Sequence, residues 1–338
     1  MSVRNKQWLL ASRPVGWVQE SDFRMVETEL PELQAGQLAV KVHFLSLDPY
    51  MRGRMNESKS YASPQLLNRV MVGGTVGEVI ESMNTNFKKG QMVVGMGGWQ
   101  EYFVSDGNGL SKVDTQALPP TVYLGCVGMP GVAAWYGVGK ICQPKAGDTL
   151  VVSAASGAVG SVVGQLGKIL GCRVVGIAGG AAKCSHLVNE LGFDRGVDYK
   201  SSSFLDELAK ATPNGIDALF ENVGGAPFDA SLERMNDFGR VAICGLISRY
   251  NGQDIPLKNF NSILTHRLRM EGFVVTDHTD VWSHALKELA SYVAQGKIKY
   301  RETIAEGIES APRAFIGLLK GENLGKQLVK MERLSPRG

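Results

Sequence analysis

The sequence predicts an α/β protein of two domains, a doubly wound parallel sheet preceded by a smaller, barrel-like β domain. Three observations carry this reading. From Asp148 onward, apolar strand runs alternate with helical periods, the texture of a parallel sheet with crossover helices. Before about residue 120 the chain instead alternates short β-type runs with turn signals. Finally, 338 residues exceed what a single core usually organises, at roughly 150 residues per domain.

The first domain opens with strand runs over Gln37–Phe44, Val70–Ser82 and Met92–Met96, punctuated by Gly36, Gly73-Gly74 and Lys89-Gly90. The texture changes at Pro119-Pro120. Strands are then predicted over Thr149–Ala154, Arg173–Ala178, Gly196–Tyr199, Asp217–Asn222, Arg240–Leu246 and Met270–Val275, with helices in most of the intervals. A helix is expected from Asp280 to Gln295. The tail Ile298–Lys330, with a helical stretch over Ala311–Lys320, is expected to pack back on the first domain. The resulting division is 1–120, 121–295 and 296–338.

Composition narrows the function classes. The chain is 44% hydrophobic and 20% charged, and a net charge of +3 is too small to announce a nucleic-acid partner. Its 41 glycines exceed the usual ~7% and fall between apolar runs, where tight turns or close backbone approach are needed. Residues Met1–Lys6 lead into no long apolar run, so neither a signal peptide nor a membrane span is expected and the predicted location is cytoplasmic. Five cysteines (Cys126, Cys142, Cys172, Cys184, Cys244) contain no C-x-x-C pair and read as reduced and mostly buried. His278 and His284, six apart on an expected helix, share no face, so spacing builds no metal site.

The chemistry begins after the Thr149 strand. Asp148–Ser153 runs into Ala154-Ala155-Ser156-Gly157-Ala158-Val159-Gly160 and then a helix-compatible stretch reaching Leu170. Strand, small-residue turn and helix N-terminus together suit a pyrophosphate, because unpaired N–H groups and the helix dipole converge there. The run departs from G-x-G-x-x-G in having Ala155 where the first glycine belongs, and a turn serving only packing is the alternative. NAD enzymes place an acid at the end of the next strand for the ribose 2′-hydroxyl. Here no Asp or Glu occurs between Gly157 and Glu190, and the strand opens into Gly179-Gly180-Ala181-Ala182-Lys183. Room for a 2′-phosphate and a cation to neutralise it points to NADP(H), although Lys183 also suits a solvated helix surface.

The chain closely resembles the zinc-independent medium-chain dehydrogenases/reductases that include leukotriene B4 12-hydroxydehydrogenase/prostaglandin reductase, alkenal double-bond reductases and curcumin reductase. The segments that carry the resemblance are Leu47–Arg52, Gly128-Met129-Pro130-Gly131, Ala155–Gln165, Glu221-Asn222-Val223-Gly224-Gly225 and Gly321–Lys326. It implies a GroES-like substrate domain formed by both chain ends around a Rossmann NADP-binding domain. It also implies that Gly157, Ala158, Val159 and Gly160 lie on the pyrophosphate, that Lys183 and Tyr199 hold the 2′-phosphate, and that Asn222 contacts the cofactor ribose region. Cys244, Gly245, Leu246, Ile247, Ser248 and Tyr250, with the strand Phe273-Val274-Val275, would wrap the nicotinamide half, and Asn323 would reach it from the tail. Asn222 also suits a plain turn and Asn323 a helix C-cap. Zinc-dependent relatives need a cysteine and a Gly-His-Glu segment in the first domain. This chain has Ser46-Leu47-Asp48-Pro49 and Gly73-Gly74-Thr75-Val76-Gly77-Glu78 there.

The expected chemistry is NADPH-dependent reduction of the C=C bond of a small hydrophobic α,β-unsaturated ketone or aldehyde, with hydride to the β-carbon and a proton to the α-carbon. Tyr250 is the candidate donor or polarising group; its alternative is a ring that only walls the pocket. A second tyrosine found in some relatives is replaced by Thr265. Tyr50 and Arg52 are expected at the substrate, with a structural turn for Tyr50 and a surface ion pair for Arg52 as the alternatives. A zinc-free quinone reductase and a non-catalytic NADPH-binding protein remain as other readings. A homodimer is implied by the resemblance, joined near Phe273–Val275.

Overall fold

The computed structural model describes residues 3–253 and 256–332. In chain order the amino-terminal part carries β1 (Arg4–Leu10), β2 (Phe23–Glu29), β3 (Leu38–Ser46), α1 (Tyr50–Arg54), β4 (Thr75–Ser82), β5 (Met92–Gly95), β6 (Tyr102–Ser105) and β7 (Ser111–Lys112). The middle carries α2 (Met129–Tyr136), β8 (Thr149–Val152), α3 (Gly160–Ile169), β9 (Arg173–Ala178), α4 (Ala181–Asn189), β10 (Arg195–Asp198), α5 (Phe204–Ala211), β11 (Ile216–Glu221), α6 (Gly225–Glu233), β12 (Met235–Ile243), α7 (Ser262–Thr265), β13 (Arg269–Gly272) and α8 (Trp282–Ala294). β14 (Glu302–Glu306), α9 (Ala311–Leu319) and β15 (Lys326–Lys330) close the chain.

Two compact units result. One comprises the chain up to Leu124 with Glu302–Asn323 and the stretch from Gln327, and the other comprises Gly125–Arg301 with Leu324–Lys326. In the first unit β1 and β2 form an antiparallel ribbon. A seven-stranded sheet runs β14-β15-β3-β4-β5-β7, with β6 also on β3. β15 lies antiparallel on β3, with Leu328 opposite Ser46, so the chain's end completes a sheet begun by its start. β4 begins at Thr75 and not at Val70, which makes only an isolated bridge to Leu9. Gly73, between them, is crowded: a Cβ there would stand 2.7 Å from Leu45 Cδ1 and 3.0 Å from the Trp99 ring.

The second unit holds six strands in the order β10-β9-β8-β11-β12-β13, all parallel. This is the doubly wound dinucleotide arrangement, whose order reverses between β8 and β11. The sequence accounts for the central position of β8: all four of its residues are buried, as expected where helices cover both faces. Val151, Val175, Ile177, Leu219 and Val241 are each about 1% exposed or less, and each contributes on the order of 1.5–3 kcal/mol by leaving water.

Further expectations need correction. Strand six is β13, Arg269–Gly272; Phe273 and Val274 lie past its end and Val275 opens a 3-10 turn. His278 precedes α8 instead of sharing it with His284, and its ring stacks on Tyr136 at 4.1 Å. No helix among the described residues is long and apolar enough to cross a membrane.

Candidate cofactor and active site

β8 delivers Ser153 to a turn in which Ala154 takes φ +47° and Ala155 is fully buried. The Ala155 N–H bonds the Ile177 carbonyl of β9 at 3.0 Å, so the turn is fastened to the neighbouring strand. The departure from a first glycine is compensated across the sheet. A Cβ on Gly176 would stand 2.7 Å from the Ala155 methyl, so the glycine in β9 makes room for the alanine in the turn. Gly160 keeps the close approach, since a Cβ there would be 2.8 Å from Ala155 Cα. No side chain caps α3 at Val159; the Ser161 and Val162 N–H groups bond the Gly157 and Val159 carbonyls at 3.0 Å, so what the turn offers a ligand is the positive end of α3 and the loop's own backbone. Gly157 also bridges Gly325, whose N–H donates to the Ser156 carbonyl at 2.9 Å.

At the end of β9, Gly179 lies beneath two side chains. A Cβ on it would be 2.9 Å from Tyr199 Cε1, 3.0 Å from Lys200 Cε and 3.2 Å from the Tyr199 hydroxyl. Lys183 stands in the first turn of α4 and its pKa is lowered, by burial first and by Lys200 second. Two cations and a phenol therefore gather where an NAD enzyme would have its acid. The nearby Asp198 carboxylate is engaged by backbone, accepting from the Gly180 N–H at 2.8 Å and the Lys200 N–H at 2.9 Å.

The third cluster sits at the β8/β11 reversal. Asn222 donates from Nδ2 to the Ser153 carbonyl and from its N–H to Ser153 Oγ, each at 2.8 Å. Ser153 Oγ in turn donates to Glu221 Oε1 at 2.9 Å, an oxygen that also accepts the N–H groups of Val223 at 2.5 Å and Gly224 at 2.7 Å. Glu221 is fully buried, and burial pushes its carboxyl up to about 7 against these lowering bonds. Cys244 N–H bonds the Glu221 carbonyl at 2.9 Å, Ile247 N–H bonds that of Asn222 at 3.2 Å, and Ser248 N–H bonds that of Val223 at 2.9 Å. The Cys244–Tyr250 run is thereby folded onto the β11 loop. The Tyr250 hydroxyl lies over Gly245, 3.3 Å from where its Cβ would be, and Asn222's carbonyl is 3.5 Å from that same point. Ser248 Oγ and Glu221 Oε2 are buried without a hydrogen-bond partner among the described residues.

Phe273 packs against Phe220 and Tyr136 at 6.2 and 5.4 Å between centroids, and Val275 is buried. Asn323 is the last residue of its stretch of the first unit. Tyr50 heads α1, and burial, with Asp48 adding, raises its phenol above the ordinary range. Arg52 is 2% exposed, which rules out the surface ion pair; it donates to Asn56 Oδ1 at 2.6 Å and to the Gly16 carbonyl at 2.8 Å. Where zinc-dependent relatives have their cysteine, Ser46 Oγ donates to the Asp48 carboxylate. Sequence reasoning missed Ser153, Glu221 and Lys200. The available signal for Glu221 was an acid directly after the apolar run Ala218-Leu219-Phe220 at the end of a central strand, a position where burial is costly.

A dinucleotide fits this chain: a turn of small residues, the positive end of α3, a cationic pocket and a buried hydroxyl without a partner among the described residues occupy the crevice end of a 3-2-1-4-5-6 sheet. The chain belongs to the zinc-independent medium-chain dehydrogenase/reductase family. Residues 6–113 match the model described as the N-terminal domain of oxidoreductase, and residues 158–291 match that described as zinc-binding dehydrogenase. It is 45% identical to an NADPH-dependent curcumin reductase of Escherichia coli, over 97% of each chain. Identity is 41% to a 2-alkenal reductase (NADP(+)-dependent) of Nicotiana tabacum, over 98% of each. The crystal structure of CurA in complex with NADPH from Vibrio vulnificus is similar with a TM-score of 0.93 and 45% identity, covering 97% of this chain and 100% of that one.

Proposed function

We propose that the protein is an NADPH-dependent reductase of the C=C bond of small hydrophobic α,β-unsaturated ketones or aldehydes. The observation that carries this reading is the third cluster: a phenol held over Gly245 beside the dinucleotide crevice, in a family whose relatives above are named for such reductions. Gly157, Ala158, Val159 and Gly160 would hold the pyrophosphate. Lys183 and Tyr199 would hold the 2′-phosphate, with Lys200 adding charge. Asn222, Cys244–Tyr250, Phe273–Val275 and Asn323 would surround the remainder. NADPH, when bound, supplies the hydride for the β-carbon of the substrate.

This chain's own contribution is orientation and charge control. As electron density moves to the carbonyl oxygen, a hydroxyl donor lowers the barrier most if it is already aimed and little hydrated. Tyr250 is the candidate donor, and its loop is held by backbone bonds to residues 221–223. Tyr50 is retained as a substrate contact. Arg52 acts behind it, its guanidinium tying α1 to the Gly16 loop. We place the protein in the cytoplasm as a homodimer. Support for the dimer is the outer edge of β13, which among the described residues pairs only with β12.

The test is turnover with NADPH across a 2-alkenal, an enone, a quinone and a saturated aldehyde. Consumption with the conjugated carbonyls alone supports the reading. Turnover of the quinone alone moves the protein to the quinone-reductase branch, and binding without turnover makes it a silent NADPH binder.

A further inference from the structure

The clusters at the crevice leave one group without a task. Glu221 closes β11, where the sheet order reverses, and its side chain is wholly inside. Through Oε1 it holds Ser153 at the end of β8 and the Val223–Gly224 turn after β11. Through its carbonyl it holds Cys244 and Gly245 after β12. One residue thus joins the ends of three adjacent strands, from which the phosphate loop, Asn222 and the Tyr250 run all depart. Its other oxygen, Oε2, is buried with no partner among the described residues. A carboxyl placed for stability alone would have both oxygens satisfied, because an unpaired buried acceptor costs on the order of 1–3 kcal/mol.

We propose that Glu221 is a positioning residue for the dinucleotide site, and that its ionised form tightens the three loops while its protonated form loosens them. The physical step is simple. An anionic oxygen accepts three short bonds more strongly than the oxygen of a neutral acid, so proton uptake weakens the bonds that set Ser153 and the Asn222–Gly224 turn. The groups facing it are the Ser153 hydroxyl from β8, backbone N–H groups after β11 and the Cys244 thiol after β12. Burial, and then Glu221 itself, pushes that thiol up to about 12, so it stays neutral throughout. With Glu221 titrating at about 7, cofactor affinity tied to the ionised form weakens about fourfold between pH 8.5 and 6.5. The inference rests on the reading of the crevice as an NADPH site.

The test is the NADPH dissociation constant, measured by fluorescence without substrate from pH 6.5 to 8.5, for the wild type, Glu221→Gln and Ser153→Ala. The ligand's own phosphate titrates identically in all three. The wild type is expected to weaken about fourfold on acidification. Glu221→Gln is expected to change less than about 1.5-fold, while binding less tightly than wild type at pH 8.5. Ser153→Ala, which removes one donor from Oε1, shifts the inflection to higher pH, and this holds even if Glu221→Gln fails to fold. A wild-type profile that is flat, or variants that follow it, would overturn the proposal. Equal wild-type affinity for NADH and NADPH would instead remove the NADPH reading, and the same pH series with whichever nucleotide binds would still decide the role of Glu221.

Discussion

Replacing Gly160 with alanine isolates the phosphate loop. The added methyl would lie 2.8 Å from Ala155 Cα and 2.9 Å from the Ala154 carbonyl carbon, and both are backbone atoms in a turn where Ala154 already holds φ +47°. No side chain can rotate away, so either the turn or the start of α3 must shift. Overpacking of this kind costs about 1–3 kcal/mol, and the better helix propensity of alanine returns up to about 1 kcal/mol. With the full propensity gain the net loss is about 0–2 kcal/mol, a Tm lower by up to roughly 8 °C. Displacing first-turn donors from a phosphate forfeits a charge-assisted bond of about 1.5–3 kcal/mol, so the Kd for NADPH rises at least about tenfold. Calorimetry and fluorescence titration read the two quantities. Gly139→Ala is the control, because nothing lies within 4 Å of its Cβ position and φ is not positive. A Gly160→Ala protein with wild-type Tm and Kd would refute the close-approach reasoning.

Other perturbations follow from the same geometry. Lys183→Ala should narrow the preference for NADPH over NADH by about ten- to a hundredfold, since one charge-assisted bond is lost; an unchanged affinity ratio removes Lys183 from the 2′-phosphate. Tyr250→Phe should lower kcat about 10²-fold or more with little change in NADPH affinity, and full single-turnover rates would leave its ring as a wall only. Glu221 also sets a stability slope. Its folded pKa of about 7 lies above the ordinary 4.5, so the folded state holds the extra proton between these values. Stability is therefore retained below about 4.5 and lost as pH rises toward 7, by about 3 kcal/mol in all. Chemical denaturation should accordingly show Glu221→Gln gaining on the wild type between pH 5 and 8, and a constant difference would contradict this.

Periodicity made the central strands legible because parallel strands covered on both faces are almost uninterrupted apolar runs, as at Thr149–Val152 and Ile216–Glu221. It misjudged the sixth. Phe273-Val274-Val275 has strand composition, yet the chain leaves the sheet at Gly272 and Phe273 spends its ring on Phe220 and Tyr136. β12 begins at Met235 and not Arg240, since polar Asn236-Asp237 conceal a strand start that carries a register shift opposite Ile216–Ala218. The missing acid after β9 is a local signal, and it is what makes Lys183 a candidate. The Glu221–Ser153 bond joins positions 68 residues apart, and no local pattern encodes it. The burial of Arg52 was hidden for the same reason, since one of its hydrogen bonds reaches a carbonyl 36 residues away.

The most direct measurement is the position of the label when a hydrophobic enone is reduced with 4-deuterated NADPH, each face tested, in ordinary water. Conjugate reduction predicts a saturated ketone with one deuterium on the β-carbon and a solvent proton on the α-carbon. An allylic alcohol labelled at the carbonyl carbon, or no deuterium in the product, would contradict it.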